Sequence, residues 1–322
     1  MAARHTACIG RRSPRETRLP KHGGGGMPGL WAVFTLVASA GQVLRNALQK
    51  ELTATLGTVG ATHVRFLFGL PFALLFLPIV LLAADAPVPE LGVATLASTT
   101  GAALAQIAAT ALLLAVMQAR SFVVTTAYVK TEPLQVALFG LLFLGDRITP
   151  GLAMAMLTAT AGVLMLSWPR SGAGALLSVR PALLGIGSGA LFAIAAIGYR
   201  GGIRALATPH FVVAATVTLV LGLLIQVFVL TAYLLIADRA ALQAIVRAWR
   251  PSLFAGFMGA FASQMWYLAF ALESAAKVRT LALIEILFAQ LLSRITFRQR
   301  LAEREAAAIG LIVAGVALLL NW

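Results

Sequence analysis

Charge is what this sequence has little of. Asp, Glu, Lys and Arg make up only 11% of its 322 residues, against about 25% in a typical soluble domain. So few charges cannot clothe a water-facing surface. Acids are the scarcest, eleven against 25 basic residues. Cysteine is nearly absent too. The single Cys8 excludes an intrachain disulfide and any cysteine-rich metal or iron–sulfur site. The four histidines, His5, His22, His63 and His210, show no metal-ligand spacing, so no cofactor is expected. No GxxxxGK[ST] loop occurs, and with it goes the usual sign of ATP hydrolysis. Sustained apolar–polar alternation is missing, which argues against a β-barrel. The clusters of acids, histidines or cysteines that an integral membrane enzyme would need are missing as well.

What is there is apolar. Hydrophobic residues make up 60% of the chain and mean hydropathy is +0.91. Runs of roughly 20 apolar residues recur from residue 28 onward, each long enough to cross about 30 Å of hydrocarbon as a helix. The fold class is therefore an all-α polytopic membrane protein. Breakers and charges divide it into ten helices, at about 28–49, 57–84, 91–117, 120–144, 148–168, 180–200, 210–236, 251–272, 275–297 and 303–321. Residues 1–27 form a basic, glycine-ended tail without apolar periodicity, expected to be disordered. Ala38-Ser39-Ala40 resembles a signal-peptidase site, but the helical pattern runs through it to Lys50, which favours an uncleaved first helix. The net charge of +14 lies mostly in that tail and at the ends of apolar runs, where basic residues anchor helices to headgroups. The expected partners are lipids and a small molecule, with no nucleic acid.

The chain repeats itself. DRITPGLAMAMLTATAGVLML (146–166) aligns with QRLAEREAAAIGLIVAGVALL (299–319), bringing Ala161-Gly162-Val163 onto Ala314-Gly315-Val316. The same offset carries Glu132 onto Glu285. GAALAQ (101–106) resembles GAFASQ (259–264) and brings Gln106 onto Gln264. The repeats are 28–168 and 169–322, five helices each. Five is odd, so the second must insert inverted relative to the first. Inverted repeats place a binding site near the midplane between halves.

Polar residues inside spans are costly and tend to face a cavity or each other. The candidates for a substrate cavity are Gln42, Arg45 and Asn46 of the first helix, Gln106 and Thr110 of the third, Tyr128, Lys130 and Glu132 of the fourth, Gln264 and Tyr267 of the eighth, and Glu285 of the ninth. Gln42, Arg45, Asn46 and Gln49 form one helical stripe, and Arg45 can grip a carboxylate or phosphate. His63, Arg65 and Arg294 are expected at the interface. Pro133 has no N–H, so the Val129 carbonyl loses its helical partner, a break suited to a wet cavity. Lys130 and Glu132 would lie about 200° apart on a continuous helix. That points Lys130 at another helix, and Glu285 is its expected partner. Mid-span carboxylates suit proton coupling. Small residues recur every four positions at Gly185, Gly189 and Ala193, and at Ala306, Gly310 and Ala314. Both stripes read as close-packing seams.

Five-helix units whose fourth helix carries a mid-span proline and ends in an acid, as in EPLQVALFGLLFLGDRIT, followed by a fifth with AGVLML, resemble the EamA-type members of the drug/metabolite transporter superfamily. The resemblance covers roughly residues 28 to 320. The second unit departs from it, with Ile286 at the proline position and Gln299 at the acid. It implies a non-enzymatic secondary transporter, a ten-helix bundle around a central cavity, exporting amino acids or similar metabolites by proton coupling or exchange. It also implies a bacterial inner-membrane location, both termini cytoplasmic, and a monomer or homodimer. The rival in the same architecture is a flippase for lipids or lipid-linked sugars. An integral membrane enzyme is the more distant reading.

Overall fold

The computed structural model describes residues 29–119, 129–167, 179–288 and 303–321. All regular structure among them is helical. The elements are α1 (Leu30–Leu67), α2 (Leu70–Ala84), α3 (Val93–Ala119), α4 (Glu132–Leu144), α5 (Pro150–Ser167), α6 (Val179–Ala205), α7 (Phe211–Ala237), α8 (Arg239–Arg247), α9 (Trp249–Leu272), α10 (Ala275–Leu281) and α11 (Glu303–Asn321). A 3₁₀ turn, Ala282–Ile284, follows α10. Among the described residues, five stretches are long and apolar enough to cross a membrane: Leu30–Ala84, Val93–Val116, Leu183–Ala205, Phe211–Ala237 and Trp249–Leu272. A helix satisfies its own backbone hydrogen bonds, the requirement that lipid imposes on any span. The outer faces suit lipid, with Leu82, Phe143, Phe228 and Ile236 all exposed.

α1 is two rods. Gly57 leaves helical geometry at φ 68° and ψ 178°, a conformation that glycine adopts without steric cost. Gln49 Nε2 donates to the Ala61 carbonyl at 3.0 Å, across 12 residues of sequence. On a straight helix those residues would stand about 18 Å apart. The chain therefore doubles back at Gly57, and the second limb continues past Phe68 and Gly69 into α2. The first rod runs to Leu56, a turn or two beyond the expected end at 49.

Glycine seams bring the rods together. A Cβ on Gly315 of α11 would stand 2.6 Å from the Ala159 nitrogen of α5, and one on Gly162 of α5 would stand 2.8 Å from the Ala308 carbonyl oxygen of α11. Gly198 of α6 sits as tightly over Ser98 and Ala102 of α3. Gly185, Gly189 and Ala193 are buried as expected, Gly189 against Val129. The second expected seam is corrected. Ala306, Gly310 and Ala314 face outward, and no described residue lies within 4 Å of a Cβ on Gly310. α11 packs instead through Ala308, Ile312, Gly315, Val316 and Leu319. Small-residue spacing shows which face could pack closely, not which face has a neighbour.

Two other elements differ from the expectation. Where a loop is expected after Asp238, the nine-residue α8 forms. Asp238 Oδ1 caps it by accepting from the Ala241 N–H at 2.9 Å. Ile245 packs its buried face against Leu52, Leu56 and Leu234 of the rods beside it. The fourth span, expected to be continuous over 120–144, is interrupted: Lys130 and Thr131 form a turn and α4 begins at Glu132. Pro133 then sits in the first turn of a helix, where its missing N–H costs nothing.

Candidate functional site

The rods enclose a polar cavity. The space open to the centres of water molecules is about 70 Å³, room for several waters or the polar end of a small metabolite. α1 supplies Gln42, Arg45, Asn46 and, from its returning limb, Arg65. α3 supplies Gln106, α6 supplies Tyr199, and α9 supplies Trp266 and Tyr267. The interrupted segment contributes Lys130 and Glu132, and the α10 region contributes Arg279 and Glu285.

Both carboxylates follow a local departure from α-helical hydrogen bonding. Glu132 is the first residue of α4 after the turn at Lys130 and Thr131, and Glu285 resumes the helix after the 3₁₀ turn. Their ion pairs cross. Lys130, beside Glu132, pairs with Glu285. Arg279, in the same helical run as Glu285, places Nε 3.1 Å from Glu132 Oε1. This second contact is electrostatic without hydrogen-bond alignment, so both Arg279 Nε and Glu132 Oε1 keep an open hydrogen-bonding direction. Glu285 is held further. Gln42 Nε2 donates to its Oε2 at 2.6 Å, and Trp266 Nε1 donates to Gln42 Oε1 at 3.1 Å. The Arg279 guanidinium lies over the Trp266 ring at 4.6 Å and the Phe270 ring at 5.4 Å, a cation–π geometry. Both carboxylates are buried.

A neutral layer adjoins these charges. Tyr199 Oη donates to Gln106 Oε1 at 3.1 Å, and Gln226 Nε2 donates to the same oxygen at 2.7 Å. The Tyr199 and Tyr267 rings stand 4.7 Å apart. Beyond this layer, Arg200 Nη1 closes onto both carboxylate oxygens of Asp146 at 2.7 and 2.8 Å, and its Nε donates to the Glu273 carbonyl at 3.0 Å. That clamp ties together the chain just after α4, α6 and the chain just after α9.

Of the residues singled out in the sequence, Gln42, Arg45, Asn46, Gln106, Lys130, Glu132, Tyr267 and Glu285 line the cavity. Thr110 does not; it lies in a smaller recess beside it, with Gln49 and Arg65. Gln264 does not either, because its Nε2 donates to Thr216 Oγ1 at 2.9 Å, toward α7. Tyr128 and Arg294 lie outside the described residues. The 200° separation of Lys130 and Glu132 does not hold, because the helix is broken between them, and both reach the same cavity. His63 and Arg65, expected at the interface, are 0% and 4% exposed. His63 Nε2 is 3.1 Å from Thr231 Oγ1. Arg279 is the main residue missed. It falls inside the span read at 275–297, and an arginine six positions before a mid-span glutamate was the available signal. Tyr199 and Gln226 gave no signal, since their partners come from other helices.

Among the described residues, no three acids, histidines or cysteines gather closely enough to hold a metal ion. The groups at the cavity are donors, acceptors and rings, suited to holding a polar solute. No protein-family model matches the sequence, and no curated protein does. A solved crystal structure shares the fold, with a TM-score of 0.61 at 16% identity, over 89% of this chain and 96% of that one.

Proposed function

We propose that the protein is a secondary active transporter that moves small organic metabolites across a membrane by alternating access. The observation that carries this reading is the pair of crossed ion contacts, Lys130 with Glu285 and Arg279 with Glu132, inside a cavity lined by the start of α4 and by a helical run with a 3₁₀ stretch in it. Broken helices with charged groups at their ends are a common way for transporters to build a midplane site. Several features support two inverted five-helix repeats of the EamA type. With α1 counted as two rods and α8 set aside as a short surface helix, the described rods fit ten spans. Gly162 and Gly315, which the repeat alignment equates, pack in one seam. Glu132 and Glu285, equated by the same alignment, follow a turn at Lys130–Thr131 and a 3₁₀ stretch at Ala282–Ile284 respectively.

Each carboxylate is balanced by a cation that the other repeat supplies, so moving one repeat against the other changes both pairs at once. Protonation or solute binding at Glu285 would release Lys130 and lower the barrier to that movement, which couples flux to a proton gradient or to exchange. The direct test is flux of a labelled metabolite library in proteoliposomes holding the full chain, with a pH gradient and with counter-substrate. Gradient-driven accumulation of at least one solute is expected. No accumulation under either condition would overturn the transporter reading. Movement of labelled lipid between leaflets instead would favour a flippase.

A further inference from the structure

We propose that the cavity binds a small water-soluble organic molecule carrying two negative charges, such as a dicarboxylate or a phosphomonoester, seated against Arg45 and Arg65. This deepens the transporter reading and rests on it only for what happens after binding.

The argument is a charge balance. Four cations line the cavity, Arg45, Arg65, Lys130 and Arg279, and among the described residues only two carboxylates face them. Both carboxylates are already engaged, Glu285 by Lys130 and Glu132 by Arg279. Arg45 and Arg65 remain, 3% and 4% exposed. Their partners are neutral. Arg45 Nη2 and Nε donate to Asn46 Oδ1 at 2.7 and 3.2 Å, and Arg65 Nη1 reaches Thr110 Oγ1 only at 3.4 Å. Arg45 Nη1 is buried and meets no partner among the described residues.

The two arginines also run side by side. A Cβ on Gly259 of α9 would lie 3.1 Å from Arg65 Cγ and 3.8 Å from Arg45 Cδ, so both side chains cross α9 at one point. Like charges held this close away from water repel. Buried ions without counter-charge are strongly unfavourable. A ligand bringing two negative charges removes the imbalance. A planar guanidinium fork fits carboxylate or phosphate oxygens in paired hydrogen bonds. The open directions on Glu132 Oε1 and Arg279 Nε can meet a hydroxyl or amino group on the same ligand, and Trp266 supplies an apolar wall. A neutral or cationic solute would leave the two arginines unbalanced.

The test is binding to the purified full chain in detergent, read by thermal melting and by tryptophan fluorescence. The probes are succinate, glycerol 3-phosphate, alanine, putrescine and dihexanoyl phosphatidic acid. Succinate or glycerol 3-phosphate should bind, alanine about tenfold or more weaker, and putrescine not at all. Arg45→Gln and Arg65→Gln should each weaken the anion by about tenfold or more. Arg65→Gln should also melt, without ligand, no lower than the parent, because one of two repelling cations is gone. A parent-like affinity in both variants, a clear drop in ligand-free melting of Arg65→Gln, or equal binding of alanine or putrescine would overturn the proposal. So would failure of both soluble dianions to bind. Binding of phosphatidic acid alone would move the charge onto a lipid headgroup and overturn a soluble ligand. Anion binding without flux in proteoliposomes would sink the transporter and leave the site standing. Flux of an amine or zwitterion with no anion binding would do the reverse.

Discussion

Glu285 accepts from two donors, Lys130 in the turn before α4 and Gln42 on α1, so its charge holds that turn against α1. Neutralising it should unlink both. Glu285→Gln is expected to abolish pH-driven flux in proteoliposomes while the protein still inserts. Flux unchanged under a proton gradient would remove Glu285 from the coupling step. Lys130→Met strands Glu285 with Gln42 alone and should cost about 3 kcal/mol, the usual effect of breaking a buried pair. Adding Glu285→Gln to it should recover part of the loss, with a coupling energy of about 0.5–3 kcal/mol in a double-mutant cycle of detergent melting. Strictly additive losses would mean that the two charges do not sense each other. The Lys130–Glu285 partnership was legible in the sequence, because the repeat alignment puts a second mid-span acid where a first already stands. The Arg279–Glu132 contact was not, since a residue four positions into a span resembles an interfacial anchor until its neighbours are known.

At the scale of the element, the same glycine spacing has opposite meanings on two faces of one helix. Gly315 and Gly310 both lie on α11, but only Gly315 is pressed against α5. Gly315→Val should therefore cost about 1–3 kcal/mol as an overpacked contact. Gly310→Val should stay within about 0.5 kcal/mol, as an exposed site does. Melting of the two variants side by side checks this, and equal losses would place the seam wrongly. Hydropathy made the rods legible, because a run long enough to cross lipid must be helical to satisfy its backbone. It could not show the hairpin at Gly57 as a sharp reversal, nor α8, whose nine residues are too short for a span and carry Arg239 and Arg247 at their ends.

For the whole molecule, two internal contacts alter the charge balance that sets orientation. On the side of the N-terminus the flanking cations read from sequence are Arg147, Arg200, Arg204, Lys277 and Arg279, besides six in the tail. Arg200 is taken up by Asp146 and Arg279 by the cavity. Arg147 stays at the flank with Arg204, 4.0 Å from Asp146, and Lys277, 3.5 Å from Glu273, against Lys50, Arg120, Arg170, Arg180, Arg239, Arg247, Arg250, Arg298, Arg300 and Arg304 on the other side. Cytoplasmic termini then depend on the tail, because the positive-inside rule otherwise points the opposite way. A C-terminal fusion to an enzyme active only outside the cytoplasm should be silent on the full chain and active on a chain starting at Met27. Activity from the full-length fusion would refute the orientation.

The clamp of Arg200 on Asp146 and the Glu273 carbonyl has a further consequence. Where the repeat alignment would put a second such acid, the sequence has Gln299. In the proposed transporter, this clamp would act as an ionic latch on the port that it closes. At rest it should idle with the latched port shut, so solute arriving from the unlatched side finds an open door. Under the proposed function the device would rectify in its waiting state, even though equilibrium thermodynamics forbids it from rectifying net flow. Raising ionic strength weakens partly exposed ion pairs. Salt should therefore even out the rates at which the two sides first admit substrate, and Asp146→Asn should do the same at low salt.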